Sequence, residues 1–551
     1  MDRNAILRWL VIALGVGAIM MFGPKACKGK PALALPAETY VNAPDFAPDH
    51  VDGAKDAPPE GELCSISGVR YTAQLSTRGA AVKHFLMEGA TYTVPGDMST
   101  TPDHERWRSL RTLFRGQGAD DQLAFDRFVW KLVRSDGKAC EFSYTDDGVK
   151  ITKIVEATSR PFEVSVTTSV TNLASAPKKH QFRIESHAFR RYSEVKGHLG
   201  RISPFVTELS CASTKEVVRK QRDEFKDGWF TDNATDRYAA VNNGYFTQAM
   251  VLDQGTAACS IVAEDWLGAG QERDDDNAAT IYHARLAYPT RELGPKDTAT
   301  YKQFVYMGPK ERPVLARAAE GKGHLLDTIP LGFFSPVARV LVTVLSFVHD
   351  HLSFGSWGLA VIIMTLGINV VLLPLRVKGM KSTLDMRKLR PEMDDINRKF
   401  ADDAQAKNLA TMELYKKRGI NPFGGCLPSL VQMPVWFAMF TTLQTAVEMY
   451  HTQFLWFGDL SSPDKYFILP AILGCAILIQ QRIMPVQPGM DPAQQKMMMY
   501  MMPVIFIVMQ LLVPAALGLY SLTNSVIFIV QQLALERFAA RHGVSGKPPK
   551  A

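Results

Sequence analysis

Hydrophobic and polar positions follow two different regimes along this chain. From about residue 350 onward, long stretches carry no charge; before that, apolar and polar residues mostly alternate. A bilayer core is crossed by about 20 predominantly apolar residues in a helix. Six stretches approach that: 6–23 (broken only by Arg8), 357–375, 426–447, 466–481, 497–513 and 515–535. The fourth and fifth are short, and short spans thin the bilayer around them. Any one of the six would fit a buried core helix. Five in succession, with few polar loops between them, predict a membrane-embedded bundle of five with a separate N-terminal anchor.

A seventh apolar stretch, 337–348, has a different pattern. Arg339, Thr343, Ser346 and Asp350 recur at spacings of four, three and four, which places them on one helix face. The reading is an amphipathic helix over 333–352, lying on the membrane surface without spanning it.

Earlier in the chain, 149–155 reads Val-Lys-Ile-Thr-Lys-Ile-Val, and 162–167, 180–184 and 280–286 alternate in the same way. Asp136-Gly137 and Asp147-Gly148 supply turns. Many short alternating strands without long helices predict an antiparallel β-sandwich over 63–325. Residues 25–62, rich in Ala, Pro and Asp, read as a linker. The expected fold class is therefore a polytopic α-helical membrane protein with six spans, five in a core bundle, and a large antiparallel β-sandwich domain.

The 551 residues carry a formal net charge of +7 and a mean hydropathy of −0.05, values that suit an ordinary soluble protein. The location of the charge changes that picture. Segment 376–419 holds twelve basic and seven acidic residues, net +5; loop 448–465 is net −2, loop 482–496 net +1 and the tail from 536 net +3. Loops on the cytoplasmic side of spans carry excess Lys and Arg. The alternation predicts both termini in the cytoplasm, residues 24–355 and 448–465 outside, and 376–420 and 482–496 inside. The charge thus reads as a topology signal and does not point to DNA binding, although the inner surface could meet ribosomal RNA.

The outer region shows no Gly-x-Ser-x-Gly, no His-Glu-x-x-His and no Gly-rich phosphate loop, so no enzyme is expected. The acidic run Glu272, Asp274, Asp275, Asp276 lacks the spacing and central Gly of a calcium loop. His349 and His351 flank Asp350 on different helix faces, a poor metal pair. No cofactor and no metal are expected. Cys64, Cys140, Cys211 and Cys259 allow three disulfide pairings, or serve equally well as four small buried hydrophobes. Asn233-Ala234-Thr235 matches a glycosylation pattern too short to weigh.

Two features bear on function. Met386, Leu389, Met393, Ile396 and Phe400 are spaced three, four, three, four, a heptad seam. With Asp402-Asp403 as a cap and Gly419 as a stop, they predict an antiparallel helical hairpin over 377–420. Its basic residues Arg387, Lys388, Arg390, Lys416, Lys417 and Arg418 are candidate contacts for a ribosome, a nascent chain or another partner. The second feature is polarity inside the spans. Thr365 and Asn369 share a face of the second span; Gln432, Thr441 and Thr442 mark the third, Gln510 the fifth, and Asn524, Gln531 and Gln532 the sixth. Polar groups are costly in lipid and should face inward or line a wet cavity. The plainer reading is hydrogen bonding between helices. Met433 and Met497-Met498-Met499 add flexible apolar surface suited to varied hydrophobic segments.

These residues resemble a known family. Asn421-Pro422-Phe423-Gly424-Gly425-Cys426-Leu427-Pro428 followed by Gln432-Met433-Pro434-Val435-Trp436 is similar to the third-span signature of YidC-type membrane protein insertases. Leu372-Leu373-Pro374-Leu375, Met386 to Pro391, Met501-Met502-Pro503, Leu517-Gly518-Leu519-Tyr520 and Gln531-Gln532 resemble its other spans and hairpin. Tyr245-Phe246-Thr247-Gln248-Ala249 and Tyr306-Met307-Gly308-Pro309-Lys310 resemble the outer domain of its Gram-negative form. The resemblance implies an inner-membrane protein that inserts and folds nascent membrane-protein substrates in the lipid bilayer, alone or with the Sec translocon. It implies a hydrophilic groove, here assigned to Thr365, Asn369, Arg376, Gln432, Met433, Thr441, Thr442 and Asn524. One departure stands out. The family carries a groove Arg five residues before the second-span Pro; counting back from Pro374 gives the neutral Asn369. Arg376, seven residues later and on nearly the same face, is the expected substitute, the alternative being a groove that works by hydrogen bonding alone. Asn524 also sits one place before the family's Asn. Competing readings are a transporter or channel with a β-sandwich sensor, and a membrane-tethered sugar-binding or sugar-modifying domain.

Overall fold

The computed structural model describes residues 61–89, 92, 96–101, 107–115, 122–124, 129–146, 148–196, 203, 205–226, 228–267, 272–273, 275–276, 278–400, 403–419, 427–483 and 492–541. The expected N-terminal anchor, most of the linker, the last ten residues, Cys27 and the stretch 421–426 lie outside them. The described residues form two compact units, one before and one after the boundary at 330–331.

The first unit is built on antiparallel sheets. Nine strands lie in the order Val217–Gln221, Glu208–Ala212, Tyr238–Asn242, Phe246–Leu252, Thr298–Pro309, Glu163–Asn172, Val149–Ala157, Ala139–Asp146 and Lys131–Ser135. Six more lie in the order Phe230–Thr235, Ala257–Trp266, Ala279–Ala287, Phe182–Arg191, Arg111–Arg115 and Gln122–Ala124. A three-stranded sheet begins at Leu63–Gly68. Within Val149–Ala157, residues 149, 151, 153 and 155 are buried, as a period of two requires of a strand with one covered face. Ala279–Ala287 is buried at every position, because it is central in its sheet and covered on both sides.

The two large sheets face each other through named contacts. Phe182 stacks on Tyr301 at 4.8 Å. Ser186 Oγ donates to Gln248 Oε1 at 3.0 Å. Lys153 Nζ donates across to the Leu110 carbonyl and to Thr112 Oγ1. A disulfide joins Cys211 of one sheet to Cys259 of the other, and a second joins Cys64 to Cys140. The four cysteines are thus paired, which resolves the choice between disulfides and simple hydrophobes.

The second unit is helical: α1 (Ser335–His351), α2 (Trp357–Lys388), α3 (Arg390–Lys399), α4 (Ala404–Arg418), α5 (Leu427–Thr445), α6 (Ile468–Ile483), α7 (Pro492–Gln510) and α8 (Ala515–Arg541). Helix α2 does not stop at the end of its apolar stretch. It runs on through Pro374 to Lys388 and breaks at Leu389, where Pro391 has no N–H for the carbonyl of residue 387. Helices α3 and α4 form the hairpin. Leu389, Met393 and Leu414 make its core, with Ile396 and Tyr415 packed against it. Asp403 caps α4 by accepting from the backbone N–H groups of Gln405 and Ala406 at 3.0 and 2.9 Å, and Gly419 ends it in the left-handed region at φ 64°. Helix α1 buries Ala338, Leu341, Val342, Leu345 and Val348, and leaves Arg339, Thr343 and Asp350 exposed.

Among the described residues, two helical segments are long and apolar enough to cross a membrane, Trp357–Gly379 and Ala515–Ala534; Ile468–Ile483 is apolar but shorter. Helix α8 packs against α6, α2 and α5, and α2 against α1 and α5. Gly518 permits close approach, since a Cβ there would lie 2.5 Å from Leu469 and 2.3 Å from Gln510.

Candidate functional site

The helical unit buries several polar side chains within a mostly apolar interior and leaves many apolar side chains exposed. On α2, Leu366, Val370, Val371, Leu373 and Val377 are exposed, while Thr365, Asn369 and Arg376 are buried. On α8, Val526, Val530 and Leu533 are exposed, and Tyr520 and Gln532 are buried. In water this arrangement would lose the hydrophobic driving force twice over; in lipid it is the stable one. The polar residues therefore meet one another.

Their centre is Arg376. Its Nη1 donates to Gln531 Oε1 at 3.0 Å, and its Nη2 donates to Gln432 Oε1 at 3.1 Å and Asn524 Oδ1 at 3.3 Å. Gln432 Nε2 in turn donates to the Tyr520 hydroxyl at 3.1 Å. Three helices, α2, α5 and α8, thus close on one guanidinium. All three of its acceptors are neutral amide oxygens, and among the described residues no carboxylate pairs with it. A guanidinium held this way is positioned while its charge stays uncompensated, so it can attract an anionic or carbonyl group.

The other candidates fall into three groups. Thr365 and Thr441 spend their hydroxyls on carbonyls of their own helices, Val361 O at 2.6 Å, and Phe437 O and Ala438 O at 3.2 and 3.0 Å. Their contribution is local, as is usual for threonine in a helix. Asn369 Nδ2 donates to Thr365 O at 2.7 Å, while its Oδ1 and the Thr442 hydroxyl are buried without a hydrogen-bond partner among the described residues. Met433 is exposed on α5. Gln510 is buried against Gly518. Tyr520 and Gln531 join the Arg376 cluster without having been assigned to the groove. A signal was available, because Tyr520, Asn524 and Gln531 are spaced four and seven and so share one face of α8.

In the hairpin, Arg387 and Lys388 fall on the last turn of α2 and Arg390 on the first of α3. Lys416, Lys417 and Arg418 are exposed on the last turn of α4, with Arg418 bridged to Glu392 at 2.6 Å. His349 stacks on Trp357 at 3.8 Å and His351 on Phe347 at 4.6 Å, so the two rings diverge. No cluster of three or more potential metal ligands occurs among the described residues.

Two family models match the chain. That of the 60Kd inner membrane protein covers residues 348–542, and that of the YidC periplasmic domain covers residues 64–344. A membrane protein insertase YidC of Anaeromyxobacter dehalogenans is 31% identical over 560 residues, 96% of this chain and 96% of that relative. One of Geobacter sulfurreducens is 30% identical and covers 85% of each chain. One of Paraburkholderia phymatum is 29% identical and covers 98% of each. Among solved structures, an active YidC insertase with its first transmembrane domain resolved aligns over 95% of this chain and 98% of its own, at 16% identity and a TM-score of 0.35.

Proposed function

The chain belongs to the YidC family of membrane protein insertases, inner-membrane proteins that are not enzymes, and from that premise we propose how its own residues serve insertion. The polar interior of α2, α5 and α8 forms a hydrophilic groove that receives polar parts of a nascent membrane protein while the apolar segment passes into lipid. The observation that carries this reading is Arg376, buried in a bundle with apolar side chains exposed and held, among the described residues, by neutral amides. Transferring a polar tail through hydrocarbon costs several kcal/mol per unpaired group. A groove of amide, hydroxyl and guanidinium groups lowers that cost. The driving force comes from burying the substrate's apolar span, so neither nucleotide nor metal is required.

The finer architecture belongs to the same proposal: six spans, both termini in the cytoplasm, the β unit in the periplasm and the hairpin in the cytoplasm. There, Arg387, Lys388, Arg390, Lys416, Lys417 and Arg418 would meet the ribosome or the nascent chain, and the bundle would act alone or beside the Sec translocon. The test is depletion of the protein followed by protease mapping of newly made small membrane proteins. Failed translocation of their tails, restored by the wild-type chain and restored several-fold less well by Arg376→Ala, is the expected result. Normal insertion after depletion sinks the reading, and full rescue by Arg376→Ala sinks the role of Arg376.

A further inference from the structure

We infer that Asn369 is a second, acceptor-type station of the groove, and that it sets how readily this insertase passes positively charged tails. This rests on the groove reading above and adds a substrate preference to it. Asn369 is 2% exposed. Its amide nitrogen is committed to Thr365 O one turn back, which fixes the orientation of the side chain. Beside the second N–H of that amide there remains Oδ1, a buried acceptor without a partner among the described residues. Such an atom costs about 1–3 kcal/mol when left unmade, so native proteins satisfy nearly all of them. An orphan held in place by its own amide is suited to a transient partner, and that partner must be a hydrogen-bond donor: an ammonium, a guanidinium, a hydroxyl or a peptide N–H. Helix α5, which packs on α2, carries a second such oxygen in Thr442 Oγ1.

Arg376 has the opposite character, since a guanidinium can only donate and is positive. Seven residues separate the two, roughly 10 Å along an α-helix and within about 20° of the same face. In the proposed topology Arg376 lies nearer the cytoplasm and Asn369 deeper. A tail entering the groove therefore meets a cationic donor first and a neutral acceptor second. Acidic residues are favoured at the first station, basic residues and bare N–H groups at the second. A lysine that has passed Arg376 meets no further fixed positive charge from α2 on this face.

The experiment uses the full-length chain in depleted cells, with two single-span reporters that differ only in their translocated tails, one carrying two Lys and the other two Asp. Protease mapping gives the ratio of Lys-tail to Asp-tail insertion, and immunoblotting gives the amount of each variant in the membrane. Asn369→Arg is expected to lower that ratio at least about fivefold, which is about 1 kcal/mol of discrimination. The nearly isosteric Asn369→Asp, which keeps the packing should the Arg variant not accumulate, is expected to raise it. Arg376→Gln is expected to raise it as well, by removing the preference for acid at the first station. A ratio unmoved by both Asn369 variants, while depletion still blocks both reporters, overturns the inference and leaves the insertase groove standing. Insertion of both reporters in depleted cells overturns the groove reading itself.

Discussion

Lys153 shows what one buried amine does to the β unit. Its side chain is fully buried between the two large sheets, where it donates to the carbonyl of Leu110, a residue in the left-handed region at φ 66°. Burial lowers the amine from its ordinary 10.5 to about 7. The unfolded chain therefore binds the extra proton between those values. Stability from this residue is full above 10.5, is lost as pH falls to about 7, and changes no further below. Lys153→Met removes the titration and strands the Leu110 carbonyl. In urea unfolding of the solubilised protein, the wild type should exceed the variant by about 1–3 kcal/mol at pH 10, with the gap narrowing toward pH 7; a gap independent of pH contradicts the argument. His180 and His187, both buried and lowered to about 4, act in the same direction at lower pH. They withdraw stability as pH falls from 6.5 toward 4. The pattern over 149–155 marks a strand, but Lys153 and Ile154 stand in reverse order for strict alternation, so an inward-facing lysine was not legible in the sequence. The Arg376 cluster was only half legible. Spacing within a helix puts Thr365, Asn369 and Arg376 on one side of α2, but which residues of α5 and α8 lie opposite depends on how three helices pack, and no local period encodes that. Tyr520, Asn524 and Gln531 share a face of α8 by spacing, but only the packing turns that face to Arg376.

At the level of elements, one device ties two sheets together and another starts a helix. Cys211–Cys259 ties the nine-stranded sheet to the six-stranded one across a sequence separation of 48. Closing a loop of that length removes denatured-state entropy worth about 4 kcal/mol at most. Paired Cys211→Ala and Cys259→Ala changes should lower the stability of the β unit by about 2–4 kcal/mol, read by thermal unfolding, and reductant should have little further effect at this bond. In the hairpin, Asp403→Ala deletes the cap that two backbone N–H groups use. Amide exchange over the first turn of α4 should quicken, and the helix should lose about 1 kcal/mol, while Gln405 to Thr411 remain helical on average. Helix types were readable here, because caps, prolines and the 3.6 period act locally. The run of α2 beyond its apolar stretch to Lys388 was not, because hydropathy marks where lipid ends and says nothing of where the backbone stops hydrogen bonding.

For the molecule as a whole, the remaining question is which way the helical unit faces, and charge supplies the argument. The segments assigned to the inner side sum to +9 and the single outer loop 448–465 to −2, which together make the whole +7. The rule behind this concerns basic residues in short loops near spans, so it applies to 376–419 and 448–465 but not to the large β unit. It also separates α1 from the proposed spans: if Ser335–His351 crossed the bilayer, every later loop would change side and the bias would invert. Two exposed positions turn this into a measurement. Leu455, 72% exposed, lies in the acidic loop, and Lys417 is exposed at the end of the basic hairpin. In a chain with Cys27, Cys426 and Cys475 replaced by Ser, a single Leu455→Cys should react with a membrane-impermeant maleimide on intact spheroplasts, and a single Lys417→Cys only after the membrane is opened. The reverse pattern would place α1 in the bilayer. It would also turn Arg376 from the proposed cytoplasmic end of the bundle to the outer one, where a tail arriving from the cytoplasm would meet the Asn369 acceptor before the cation.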